Sequence, residues 1–453
     1  MEKAMNFTEG KIVGPLFLFA MPVLLALFLQ AMYGAVDLLV VGKFGNAADI
    51  SAVATGSQLM QTITNLIASF AMGTTILLGQ KLGEGRAKEG GKIVGSSIVL
   101  FAVIAVAFTI LLTTLAGPLA RVMNAPDAAM AKTKAYIRIC GGGSIVIVAY
   151  NLIGCIFRGL GDSRTPLITV AIACVFNIAG DLLLVAGFHM GTEGAAYATV
   201  FAQLVSVVIS YFLIRRQKLP FDMSKQDIRW NQRIIGRVVA LGFPIALQDF
   251  LVSLSFLIIL SMVNALGLIY SAGVGVAEKV CAFIMLVATS FMQSESAFVA
   301  QNYGAGKFDR ATKALHAGMV MSLIMGIILG YLSYFHGTAL AGIFANNQAV
   351  IFQAAEYLKA YAIDCLFTAI LFCFIGFFNG IGYTRFVMVQ GIVGAFGVRV
   401  PISYIMSKRV PVSLFHIGLA TPSSSLLQVI LCLICMAVVR HKEKKEEQAK
   451  LLR

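Results

Sequence analysis

Charged residues are scarce in this sequence. Only 12% of its 453 residues are Asp, Glu, Lys or Arg, whereas 59% are hydrophobic. Soluble domains carry about 25% charged residues. The composition therefore excludes an ordinary soluble protein and predicts a chain that crosses a membrane many times.

Metal-binding and disulfide patterns are also missing. Five dispersed histidines form no HExxH or comparable spacing, so a membrane metalloprotease has no support. The eight cysteines lie mostly within apolar runs and form no disulfide framework. Cys432 and Cys435 make a CxxC, but it lies in an apolar segment outside any βαβ unit, which favours packing over redox chemistry. No cleavable signal peptide is expected, because the first apolar run is too long and lacks a small-residue cleavage site.

Apolar runs of spanning length, divided at Gly, Pro and charge clusters, predict an all-α integral membrane protein with twelve transmembrane helices. The predicted spans are 13–42, 50–80, 92–120, 133–158, 165–188, 193–215, 234–266, 270–300, 313–335, 350–380, 386–407 and 413–439.

The basic residues predict the orientation of the chain. Ends and loops on one side of the twelve spans hold 25 of the 35 Lys and Arg residues. The positive-inside rule therefore places both termini and the central linker in the cytoplasm. The net charge of +14 follows from this asymmetry and indicates contact with membrane lipid, with no nucleic-acid partner, because no basic patch is interleaved with aromatic residues.

The second half of the sequence repeats the first at an offset of 221 or 222 residues. This duplication predicts an N-terminal lobe (1–215), a cytoplasmic linker (216–233), a C-terminal lobe (234–440) and a charged cytoplasmic tail (441–453). Six spans per repeat give two six-helix bundles in the same orientation, related by a pseudo-two-fold axis along the membrane normal. A substrate cavity is expected between them, which favours alternating access. The aligned blocks are 11–30 with 233–252, GQKLGEGRA (79–87) with AQNYGAGKF (300–308), and FRGLGDSRT (157–165) with FNGIGYTRF (378–386).

Two acids within the first lobe are the main candidates for a functional site. An ionised carboxylate at membrane depth costs at least about 2.5–3.5 kcal/mol, so Asp37 and Asp181 suggest a site for a coupling cation. Asn177 lies one helical turn before Asp181 and offers a neutral oxygen, and Thr199 on the next span offers a hydroxyl. The alternative is a buried hydrogen-bonded cluster that fixes helix packing.

The second lobe has polar residues within its spans that are candidates for a substrate cavity. Glu278 is adjacent to Lys279, so an intramembrane ion pair is the alternative for that position. Glu295, near the end of its span, is expected to be wetted. The candidate cavity residues are Gln248, Asp249, Glu278 and Asp364.

The sequence resembles the multidrug and toxic compound extrusion (MATE) family of bacterial inner-membrane antiporters. The resemblance covers residues 8–440 and rests on AMPVLLALFLQAMYGAVDLLVVG, GQKLGEGR, FRGLGDSRTP, FNIAGDLLL, GAAYATVFAQ, AQNYGAGK and GVRVPISY in this order. It implies two six-helix lobes and export of cationic, amphipathic small molecules in exchange for H⁺ or Na⁺. It also implies a multi-pass protein of the bacterial cell membrane that acts as a monomer, without a cofactor beyond the coupling ion.

The resemblance extends to individual residues. The family's first-lobe cation site matches Asp37, Asn177, Asp181 and Thr199, and its bent first helix matches Pro22, which becomes a candidate hinge. One branch of the family carries acids on helices 7 and 10, where this sequence has Val252 and Thr368. A second-lobe cation site of that kind is therefore not expected.

Two other functions compete with antiport. A flippase for lipid-linked oligosaccharides or similar polyisoprenoid lipids, which the same superfamily architecture permits, would need a cavity lined with Arg and Lys. Once the basic residues assigned to the ends and loops are set aside, only Lys279 and Arg399 remain within spans, which argues against it. A non-transporting receptor or assembly factor is disfavoured because long soluble loops are nearly absent. An enzyme is not expected.

Overall fold

The computed structural model describes residues 7–216 and 219–451, and within those ranges the chain is helical without a β-strand. The remaining residues of the predicted linker and tail, 217–218 and 452–453, lie outside the described part. The first half of the sequence forms α1 (Val13–Phe44), α2 (Ala47–Gly83), α3 (Gly90–Thr114), α4 (Ala116–Val122), α5 (Asp127–Gly142), α6 (Ser144–Gly159), α7 (Arg164–Asp181) and α8 (Gly191–Arg216).

The second half repeats this order. It forms α9 (Gln232–Asn264), α10 (Leu268–Gly304), α11 (Phe308–Phe335), α12 (Gly337–Gly342), α13 (Gln348–Gly380), α14 (Thr384–Ile392), α15 (Val400–Ser407), α16 (Leu414–Gly418) and α17 (Ala420–Leu451). Eleven helical segments of the described chain are long and apolar enough to cross a membrane, and the bent pair α5 and α6 makes a twelfth.

The predicted fourth span, 133–158, is broken in the structure. Helices α5 and α6 meet at Gly143 with a bend of 54°. A Cβ atom on Gly143 would lie 2.6 Å from Val200 of α8, so a residue without a side chain is needed where α8 crosses the break. The close contact with α8 accounts for a glycine at the break, and hydropathy does not register such a contact.

Two spans contain a π-helical segment. Leu182–Gly187 follows α7 directly, and Val393–Arg399 joins α14 to α15. A π-helical turn inserts residues into the α-helical hydrogen-bond ladder and is frequent at functional sites. The first of these segments begins immediately after Asp181, and the second ends at Arg399.

Helix α2 begins with a polar network at its first turn. Asn46 caps the helix by accepting from the backbone N–H of Asp49, and Asp49 accepts from the backbone of Asn46. The carboxylate of Asp49 also pairs with Lys132 Nζ at 2.7 Å and accepts from the Thr192 hydroxyl at 2.7 Å. One acid therefore ties the start of α2 to α5 and α8.

The contacts divide the chain into two compact units, and the two points of division lie within the long helices α1 and α9. The first unit comprises Met21–Ala246, and the second comprises Phe7–Ala20 and Leu247–Arg453. The division within α1 falls one residue before Pro22, and the division within α9 falls shortly after Pro244. The lobes expected from the repeat, 1–215 and 234–440, stay a prediction.

The described part of the predicted linker packs on the first unit. The side chain of Phe221 is buried against Gly90, and the carbonyl of Asp222 faces Gly91 of α3. The Ser224 backbone N–H and hydroxyl both donate to Asp227, which lowers the pKa of that carboxyl. The segment is therefore anchored to α3.

Candidate cation site in the first unit

The four predicted residues of the first-lobe site come together in the first unit. Helix α1 supplies Asp37, α7 supplies Asn177 and Asp181, and α8 supplies Thr199. Asp37, Asn177 and Asp181 are each at most 2% exposed. Asn177 and Asp181 share a face of α7 because they are four residues apart.

Asp37 is the centre of the contacts at this site. Its Oδ2 accepts from Thr199 Oγ1 at 3.1 Å, and its carboxyl also interacts with Asp181 and Asn177. The Thr199 hydroxyl has one proton, and the carbonyl of Ala195, 3.0 Å away, competes for it. The hydroxyl therefore satisfies Asp37 only in part.

Most of the polar atoms at the site have no hydrogen-bond partner of sound geometry. These atoms are Asp37 Oδ1, both carboxyl oxygens of Asp181, and both side-chain polar atoms of Asn177. Within the described chain, neither carboxyl forms an ion pair with a Lys or Arg. Buried carboxylates are costly unless a charge of opposite sign compensates them, so this arrangement calls for a cation.

The donor set fits a small hard cation. Carboxylate, amide and hydroxyl oxygens are the ligands that such ions prefer, and a carboxyl group also holds a proton. Among the described residues, no group of three or more His, Cys, Asp or Glu side chains forms a site for a metal ion. The oxygen donors of the site are chemically suited to H⁺ or to an alkali-metal ion.

Tyr136 of α5 is a fifth residue at this site, and the sequence did not indicate it. Its side chain is 2% exposed, its hydroxyl hydrogen-bonds with Thr199, and it lies within electrostatic range of both acids. The ring packs on Gly56 of α2, where an added Cβ would lie 2.5 Å from the ring. The surrounding sequence, AKTKAYIRIC, has too many basic residues to mark a core position.

The four second-lobe candidates are placed differently. Gln248 is buried against Gly391 of α14, whereas Asp249 and Glu278 are half-buried. Asp364 of α13 is 2% exposed, and its Oδ2 accepts from Thr368 at 2.8 Å. Ser425 of α17 also bonds to this carboxyl. Gln248 and Asp364 thus lie inside the second unit, and their role in a substrate cavity stays a prediction.

The expectation for Glu295 was wrong. It is completely buried, and neither of its carboxyl oxygens has a hydrogen-bond partner in the described chain. It faces Gly318 of α11 and Gly376 of α13, whose missing side chains leave room for it. Its position near the end of a helix suggested that water reaches the side chain, but the helix face on which it lies is covered by α11 and α13. Lys279, by contrast, is exposed.

Comparisons with known proteins agree with this architecture. A family model named MatE matches residues 22–183 and again 244–405, once in each repeat. The probable multidrug resistance protein YpnP of Bacillus subtilis is 26% identical over 406 residues, 89% of this chain and 91% of that protein. The multidrug export protein MepA of Staphylococcus saprophyticus is 22% identical over 414 residues, 90% of each chain.

A solved structure shows the same fold. An outward-facing conformation of a multidrug resistance MATE family transporter superposes with a TM-score of 0.92 at 18% identity and covers 98% of this chain and 99% of that one. The predicted twelve-span helical fold is thereby confirmed, and so is the expectation of a membrane transporter instead of an enzyme. The chain belongs to the MatE family of multidrug and toxic compound extrusion transporters.

Proposed function

We propose that this chain is a secondary antiporter that exports cationic, amphipathic small molecules in exchange for H⁺ or Na⁺. Its relatives YpnP and MepA are named as a probable multidrug resistance protein and a multidrug export protein. The observation that carries the coupling mechanism is the pair of buried acids in the first unit, Asp37 and Asp181, which have no basic partner in the described chain.

Asp37 and Asp181 hold the coupling cation in this mechanism. Bringing two carboxylates together away from water is unfavourable until at least one is neutralised. Asn177 of α7 and Thr199 of α8 add oxygen ligands to those of the two acids. The cation therefore stabilises whichever arrangement of α1, α7 and α8 keeps these four side chains together.

Transport requires that the cation bind two conformations with different affinity, since a ligand of equal affinity shifts no equilibrium. Helix α1 carries Asp37 and contains Pro22, whose missing N–H removes one hydrogen bond from the helix interior. Pro22 is the proposed hinge, and its place beside the division of the two units supports that role.

The test is dye efflux from proteoliposomes under separately imposed H⁺ and Na⁺ gradients. Wild type is compared with Asp37→Asn and with Asp127→Asn, a matched control at an exposed acid of the same unit. We expect one gradient to drive efflux of a fluorescent cationic dye in wild type and in Asp127→Asn. We expect Asp37→Asn to lose the gradient-driven component, because one carboxylate of the pair has become neutral.

The result identifies the coupling ion and assigns the acid. Equal efflux by wild type and Asp37→Asn would show that Asp37 serves helix packing and not coupling. Absence of gradient-driven dye efflux in all three proteins, each reconstituted at the same level, would refute the proposed antiport of cationic molecules.

A further inference from the structure

Arg399 places a permanent positive charge inside the second unit. It ends the π-helical segment Val393–Arg399, and its side chain is 5% exposed. A guanidinium group does not lose its proton in proteins, so this charge persists in the membrane interior. A charged residue at such depth is by default a candidate functional residue, and its partner needs to be identified.

The partners of Arg399 within the described chain are few. Nη1 donates to Ser255 Oγ at 3.3 Å, and the guanidinium lies 4.4 Å from the centre of the Phe256 ring. Its buried Nε has no partner. A guanidinium has five N–H donors arranged as a planar fork, so one long bond to a hydroxyl leaves most of this capacity unused.

Asp364 is the candidate acidic partner of Arg399, but it does not satisfy the free N–H donors of the guanidinium. The charges of Asp364 and Arg399 interact electrostatically, yet the described residues show no ion pair between them. Asp364 takes its hydrogen bonds from Thr368 and Ser425, and its Oδ1 has no partner. Asp364 and Arg399 thus form no ion pair, and each has a buried hydrogen-bonding atom without a partner in the described chain.

The internal repeat shows that this arrangement is not a copy of the first-unit site. At an offset of 221 or 222 residues, Asp37 aligns with Ile258 or Ile259, and Asp181 aligns with Ile402 or Ser403. Asn177 aligns with Val398 or Arg399. The second unit therefore lacks both acids of the cation site. It has the positively charged Arg399 at or beside the position that corresponds to Asn177.

We propose that Arg399 binds the carboxylate of zwitterionic substrates, with Asp364 facing their positively charged end. A planar guanidinium matches a carboxylate through two parallel hydrogen bonds, and the stacking on Phe256 holds the fork in place. The proposal rests on the proposed export of small molecules and adds a specific substrate class to it: molecules that carry an anionic group as well as a cation.

The test compares two dyes that differ in one group, a rhodamine with a free carboxyl and its methyl ester. Both carry the same cation, and only the free acid carries the anion. Binding to the purified full-length protein is measured by fluorescence polarisation, independently of any ion gradient. The variants are Arg399→Gln and Arg385→Gln, the latter an exposed arginine of the same span that serves as the control.

We expect Arg399→Gln to weaken binding of the free acid by about tenfold to a hundredfold, the range for lost hydrogen bonds to a charged group. Binding of the methyl ester should stay within about twofold, an effect too small to represent a lost charge-assisted bond. Arg385→Gln should bind both dyes as wild type does. Should Arg399→Gln not fold, Arg399→Lys keeps the charge without the fork and is expected to weaken the free acid selectively, by a smaller factor.

Other outcomes overturn the inference. Equal weakening of both dyes, or of neither, would give Arg399 a purely structural role. If the wild-type protein bound the ester but not the free acid, the carboxylate site would be refuted and the proposed efflux of cations would stand. Wild-type binding of neither dye would contradict both proposals.

Discussion

Tyr136 links a packing contact to the cation site, so a single methyl group on Gly56 should disturb that site. An alanine Cβ at position 56 would lie 2.5 Å from Tyr136 Cδ1 and 2.9 Å from Cγ. Ordinary van der Waals contact begins at 3.4 Å, so the ring or α2 must shift by about 1 Å. The ring's hydroxyl bonds to Thr199, which donates to Asp37, and the shift is therefore transmitted to the acid.

The expected magnitudes separate stability from function. Overpacking a close helix contact costs about 1–3 kcal/mol, and replacing Gly by Ala within a helix returns about 1 kcal/mol. The free energy of unfolding should therefore fall by no more than about 2 kcal/mol. Efflux should fall by about fivefold to tenfold, equivalent to about 1 kcal/mol for the hydrogen bond from Tyr136 that the shift breaks.

The assay is gradient-driven dye efflux from proteoliposomes, with thermal unfolding measured in the same preparations. Gly34→Ala is the matched control, because Gly34 lies on α1 near Asp37 and a Cβ there meets nothing within 4 Å. Tyr136→Phe removes the hydroxyl without moving the ring, and its efflux should lie between wild type and Gly56→Ala. Equal efflux by Gly56→Ala and Gly34→Ala would refute the reasoning that Tyr136 supports the cation site.

Two further predictions concern the second unit. Arg310 donates to the carbonyls of Phe7, Glu9, Gly10 and Lys11 at 2.7–3.3 Å, so Arg310→Ala should release this segment. Amide hydrogen exchange over residues 7–11 should accelerate at least tenfold, since each bond to a charged group contributes about 1.5–3 kcal/mol. Arg310→Lys should rescue it only in part, and wild-type exchange in Arg310→Ala would contradict the anchoring. Gly376→Ala should lower thermal stability, because its Cβ would lie 2.5 Å from the carbonyl of Met292. Gly275→Ala is the control and should not lower it, because a Cβ at that position meets nothing within 4 Å. Equal unfolding temperatures of the two variants would show that α10 and α13 tolerate separation.

The elements that could be predicted from the sequence are those fixed by properties of single residues. Long apolar runs define the spans, and a carboxylate at membrane depth is costly in any helix, so Asp37 and Asp181 could be recognised without coordinates. Asn177 followed from its spacing on the same helix. Thr199 was identified as a hydroxyl on the following span and by the family resemblance, and the structure brings it to Asp37.

Features that depend on neighbouring helices could not be predicted in this way. Tyr136 reaches the site because Gly56 leaves room for its ring against α2, a contact between two distant parts of the sequence. Glu295 is buried because two glycines on different helices face it, and position along a helix does not reveal which face is covered. The glycine at the break, Gly143, likewise makes room for Val200 of another helix.

The two proposed sites need a physical connection, because the acids lie in the first unit and Arg399 in the second. Helices α1 and α9 are the continuous elements that each contribute to both units. Each has a proline close to its division, and Pro22 and Pro244 occupy equivalent positions in the repeat. A proline weakens a helix locally, so we propose these two points as the places where α1 and α9 bend. Coupling between ion and substrate is reciprocal, so the factor by which the cation at Asp37 changes the affinity for substrate must equal the factor by which substrate changes the affinity for the cation.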